Sequence, residues 1–163
     1  MPQQIVLRAC ANLYKNTEQA PEEYTKLLTK AQQACNSAYA PYSNFYVGAA
    51  LLLENGEIIT GTNQENAAYP SGLCAERTAI YWVGANYPNV LIKAIAVSAR
   101  HAGENNFLGV SPCGSCRQAL LEYENKQKKP IKMILEHAEG ILVFDCIADL
   151  LPLQFSDKNI EKP

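Results

Sequence analysis

Two short motifs limit the possible folds of this chain more than any other feature: Cys74-Ala75-Glu76 and Pro112-Cys113-Gly114-Ser115-Cys116. If their three thiols grip one ion, the chain between them must leave and come back to the same point. Zn²⁺ takes four ligands, and a catalytic site keeps one position open for water, so three cysteines suit catalysis and fall one short of a closed structural site. Glu76, just beyond the first ligand, is then the candidate general acid/base.

Thiols spaced as in Cys113-x-x-Cys116 stand on one face if they open a helix, and can hold one metal together. The run Cys74-Ala75-Glu76-Arg77-Thr78-Ala79-Ile80-Tyr81-Trp82 has no Pro or Gly and predicts a second helix that starts at the cysteine. Both ligand sets would then lie at helix N-termini, where the partial positive charge offsets three thiolates around a divalent ion. Arg77 is a second source of compensation. A lone C-x-x-C also fits a structural zinc knuckle or a redox pair. The redox reading is poor here, because Pro112 precedes the pair and the third cysteine sits beside a glutamate.

The rest of the composition describes an ordinary enzyme. A chain of 163 residues, 48% of them hydrophobic, is long enough to bury one real core. No stretch approaches the ~18 unbroken apolar residues of a membrane span, and no basic N-terminal region leads into an apolar run, so the expected location is cytoplasmic with no membrane partner. The net charge is −2 and no basic run exceeds Lys128-Lys129, so a nucleic acid partner is not expected. The other cysteines, Cys10, Cys35 and Cys146, are expected to be buried free thiols rather than a disulfide framework.

Periodicity gives an α/β order. Tyr24, Leu27, Leu28, Ala31, Ala34, Cys35 and Ala38 recur at helical spacing after Pro21. Residues 46–53 form a strand that turns at Asn55-Gly56 into 57–60. Strands are expected at 92–99, 131–135 and 141–144, with a short helix from Ile147 to Leu151 before Pro152. Helices that alternate with strands predict one central sheet covered on both faces. Residues 1–20 are expected to be an extension of unassigned role, 21–156 a single domain and 157–163 a tail.

Four segments, in order, closely resemble the small homotetrameric cytidine deaminases. They are Tyr42-Ser43-Asn44-Phe45-Tyr46-Val47-Gly48-Ala49-Ala50, Gly61-Thr62-Asn63-Gln64-Glu65-Asn66-Ala67-Ala68-Tyr69, Cys74-Ala75-Glu76-Arg77 and Pro112-Cys113-Gly114-Ser115-Cys116-Arg117-Gln118. The likeness runs from about Tyr24 to Phe155. It implies a three-layer α/β/α fold with a five-stranded mixed sheet, one Zn²⁺ per subunit, and hydrolytic deamination of cytidine and 2′-deoxycytidine in pyrimidine salvage.

The resemblance also implies roles for residues. Asn63 and Glu65 match groups that hydrogen-bond the ribose 3′-hydroxyl, with a solvated loop as the alternative. Phe45 matches an aromatic near sugar and base, or is core. The backbone of Cys74 and Ala75 would meet the pyrimidine O2, and that of Ser111 the amino group. Tyr69 is a substrate-side or structural residue of the same motif. Phe155 matches an aromatic that enters a neighbouring subunit's site, which implies shared sites in a homotetramer; an ordinary core role is the alternative.

The chain departs from the family pattern at Tyr46, at Gln64, in the residues before the first helix and in a longer stretch from Arg100 to Val110. These departures bear on substrate breadth. His101 and His137 lack ligand spacing and read as surface or internally satisfied residues. Two other functions compete: deamination of a nucleotide, nucleobase, antibiotic nucleoside or RNA base, and a non-catalytic zinc module. Glu65 would repel a phosphate at the position it faces, and an intact Glu76 would be surplus in a binding module.

Overall fold

In the computed structural model, which describes residues 2–16, 18–156 and 159–160, one six-stranded mixed sheet lies between helices. The elements are β1 (Asn12–Tyr14), α1 (Glu22–Ala34), β2 (Phe45–Leu53), β3 (Ile58–Thr62), α2 (Ala75–Asn86), β4 (Ile92–His101), α3 (Gly114–Gln127), β5 (Lys132–His137) and β6 (Gly140–Phe144). The strand order is β1-β6-β5-β4-β2-β3. Only β4 and β5 run parallel, with α3 as their crossover. The expected elements are present within a few residues. The sheet gains a sixth strand, β1, from the extension to which no element was assigned.

Strand alternation divides the core in two. Leu51, Leu53, Ile95, Val97, Met133 and Leu135 point to the face covered by α2 and α3, where they meet Ala79, Ile80, Val83, Leu120 and Leu121. Ala50, Leu52, Ala94, Ala96, Ile134 and Val143 point the other way, against Tyr24, Leu27, Leu28 and Ala31 of α1. Two glycines permit this close packing. A Cβ at Gly48 would collide with the Ala31 carbonyl of α1, and one at Gly61 would stand 2.6 Å from the Ala75 carbonyl of α2. Gly61 therefore lets the first turn of α2 lie directly on β3. That contact fixes where Cys74 and Glu76 project.

Of the three cysteines expected to be buried, Cys35 is buried, Cys146 is half-buried and Cys10 is exposed, all as free thiols. Cys10 departs from expectation because residues 2–11 lie outside the core, where Ile5, Val6 and Leu7 are also exposed. Of the expected tail 157–163, only residues 159 and 160 lie among those described. No helix among the described residues is long and apolar enough to cross a membrane.

Candidate active site

Cys74 is the N-cap residue of α2 and Cys113 the N-cap residue of α3. Both have extended backbone, which swings each thiol off the helix end. Cys116, in the first turn of α3, lies beneath them with no exposure. The Cys74 and Cys113 Sγ atoms are 3.9 Å apart, Cys113 and Cys116 are 3.5 Å apart, and all three lie within 4.8 Å of one another. A tetrahedral ion with Zn–S bonds of ~2.3 Å needs sulfur edges of roughly 3.8 Å. The donor set therefore fits zinc with one corner unfilled by protein.

The surroundings favour a metal. The Arg77 guanidinium places Nη2 3.7 Å from the Cys74 sulfur, while its buried Nε has no protein partner. The Cys116 thiol and Arg77 together hold the Cys74 thiol down to about 5. The Cys74 thiolate beside Cys116, with burial added, pushes the Cys116 thiol up. A proton caught between crowded thiols is what a cation displaces on binding. Glu76 is 4% exposed, and burial, aided by the Cys74 thiolate, raises its carboxyl above the ordinary range against the opposing pull of its own backbone N–H, Cys116 and Arg77.

These groups open onto a cavity of about 690 Å³, whose lining includes Phe45, Asn63, Glu65, Tyr69, Cys74, Ala75, Glu76, Arg77 and Cys113. Val97 and Val110 add apolar wall, and Ser111 lies on the rim beside the ligands. The Asn63 amide braces the start of β2: Oδ1 accepts the Val47 N–H at 2.9 Å, and Nδ2 donates to the Phe45 carbonyl at 2.9 Å. Glu65 accepts the Tyr42 and Ser43 backbone N–H groups and the Ser43 hydroxyl. Those donors hold its carboxyl below the ordinary range. Phe155 stands apart. It is 59% exposed, its carbonyl accepts from Gln118 Nε2 at 2.9 Å, and it lines a separate groove with Tyr81, Ser115 and the other side of Arg77.

The sequence pattern of the cytidine and deoxycytidylate deaminase zinc-binding region matches residues 21–130. The chain belongs to this family. A cytidine deaminase of Sporosarcina psychrophila is 40% identical over 135 residues, which are 83% of this chain and 93% of that one. One from Halalkalibacterium halodurans is 37% identical, covering 82% and 95%. The crystal structure of cytidine deaminase from Burkholderia pseudomallei superposes with a TM-score of 0.67 at 38% identity, over 80% of this chain and 98% of that one. Zinc is the family's metal, in keeping with the three-thiol donor set.

Membership in the family leaves some of the cavity unforeseen. Tyr42 and Ser43 were visible only as part of a motif, and their contact with Glu65 could be inferred from neither spacing nor charge. His101, expected at the surface, is exposed, yet its ring lies 5.0 Å from that of Phe45.

Proposed function

We propose that this protein is a zinc-dependent cytidine deaminase that converts cytidine and 2′-deoxycytidine to uridine and 2′-deoxyuridine with release of ammonia. The observation that carries this reading is a buried glutamate two residues beyond Cys74, in the first turn of α2, beside a three-thiol metal centre and on a cavity lined by Asn63, Glu65 and Phe45. Cys74, Cys113 and Cys116 would hold the zinc, which would supply Lewis-acid activation of water. Arg77 and the two helix N-termini offset the surplus negative charge of three thiolates.

As in zinc deaminases generally, the glutamate moves the protons. Glu76, raised by burial, accepts a proton from the attacking water and delivers it to N3 of the cytosine ring. Water oxygen bonds to C4, the C4–N4 bond breaks, and Glu76 passes the second water proton to the leaving amine, so that water and cytidine become uridine and ammonia. The Ala75 backbone meets the pyrimidine O2, Phe45 and Tyr69 flank the nucleoside, and Asn63 and Glu65 face the ribose. Their bonds to the 42–47 backbone leave each side chain further lone pairs or protons for the sugar.

Phe155 is assigned to the site of a neighbouring subunit in a homotetramer, since it projects outward at 59% exposure beside Arg77. The protein is assigned to pyrimidine salvage in the cytoplasm, acting on free nucleosides with neither nucleic acid nor membrane as partner. Residues 21–156 form the deaminase unit and 1–20 an extension of it. Ammonia release measured side by side from cytidine, dCMP and cytosine tests the reading. Cytidine should turn over fastest; a preference for dCMP or cytosine would replace it. Mixing Glu76→Gln and Phe155→Ala subunits should restore activity above either parent, and failure in verified mixed oligomers would return Phe155 to its own subunit.

A further inference from the structure

Phe45 occupies an awkward place for a residue that must define a pocket wall. It is the first residue of β2, half-buried, and follows Asn44, whose φ of +54° puts the chain in the left-handed region. Its backbone is well held: the N–H donates to the Ser43 Oγ at 3.1 Å, and the carbonyl accepts from Asn63. Those bonds fix the Cα but leave the ring free to change rotamer.

His101 supplies what the backbone cannot. The β2–β4 register sets Phe45 directly opposite His101, so both side chains leave the same face of the sheet. The two rings meet at 5.0 Å and 59°, a tilted aromatic contact. The His101 backbone is held in that register, because it ends β4 and the next residue, Ala102, donates its N–H to the Asn44 carbonyl at 2.9 Å. The Leu108 N–H returns to the Ala99 carbonyl at 2.8 Å, which holds the following loop against the same strand.

We propose that His101 is a positioning residue that holds the Phe45 ring against the nucleoside cavity, so that nucleoside affinity depends on it while proton transfer at Glu76 does not. This inference rests on the deaminase reading above. It places an affinity-determining contact at the junction of β4 and the loop that follows it.

His101→Ala should raise KM for cytidine about two- to tenfold, the range of an aromatic pair, with kcat within about twofold of wild type. His101→Phe, which retains a ring, should restore KM. In a Phe45→Ala background, His101→Ala should have no further effect. An unchanged KM in His101→Ala, or the same rise in both backgrounds, overturns the proposal. Calorimetric titration with uridine separates this outcome from failure of the deaminase reading: absence of ammonia release by the wild type defeats that reading alone, whereas equal uridine affinity in wild type and His101→Ala defeats the brace.

Discussion

Glu76 and Glu124 are hidden to a similar degree, at 4% and 7% exposure, yet they meet very different neighbours. Glu124, on α3, accepts three backbone N–H groups, from Ile131 at 2.8 Å, Ile147 at 2.8 Å and Ala148 at 3.0 Å. It ties the start of β5 and the short 3₁₀ turn Ile147–Leu150 to one helix. Glu76 faces the cavity beside the thiols, and burial raises its carboxyl above the ordinary range. A carboxylate that accepts three backbone N–H groups in the interior is structural; one raised by burial beside a metal-binding cluster is a candidate proton carrier. Burial alone does not distinguish them.

The largest effect expected from breaking this contrast comes at the metal. Cys113→Ala combined with Cys116→Ala should remove both the zinc, about one per chain in the wild type, and all measurable deamination. Stoichiometric zinc retained in the double variant would move the metal elsewhere. Glu124→Gln should instead leave zinc in place and lower stability by about 1–3 kcal/mol, because the amide oxygen can keep the Ile131 and Ile147 N–H groups while its NH2 is turned toward the Ala148 N–H. Chemical denaturation measures this. A loss below about 1 kcal/mol would mean that the three backbone bonds are satisfied another way.

The thiols repeat the contrast on a smaller scale. Cys35, packed between α1 and β2, is pushed up to about 11 by burial, whereas Cys74 is held down to about 5 by the Cys116 thiol and Arg77. Between pH 9 and 11 the unfolded chain releases a proton that folded Cys35 retains, so stability falls as pH rises through that window, by about 2–3 kcal/mol. The stability advantage of wild type over Cys35→Ala should therefore shrink from pH 8 to pH 11. A constant difference would show that Cys35 ionises as freely folded as unfolded.

Much of this was legible in the sequence, for physical reasons. The cluster of Cys74, Cys113 and Cys116 was readable because a metal demands donor types at helix-compatible spacings, and the strands because β-branched and aliphatic runs end at Asn55-Gly56 and similar turns. The rest depended on tertiary placement. Asn12-Leu13-Tyr14 becomes β1 only because β6 offers an open edge, with Asn12 opposite Val143. Glu124 sits among Tyr123, Asn125 and Lys126 and reads as a solvated helix face until three distant N–H groups converge on it. His101 has no motif at all, and its partner Phe45 is set by the β2–β4 register.

The most direct test of the central claim, that the buried Glu76 moves the protons, is the kcat of zinc-loaded Glu76→Gln on cytidine, measured by ammonia release. The amide keeps the volume and cannot carry the proton. A general acid/base group contributes ~10²–10⁴-fold, and one acting at several steps should reach the upper end, so turnover should fall about 10⁴-fold with zinc content and fold unchanged. Retention of more than about a tenth of wild-type turnover would contradict the account.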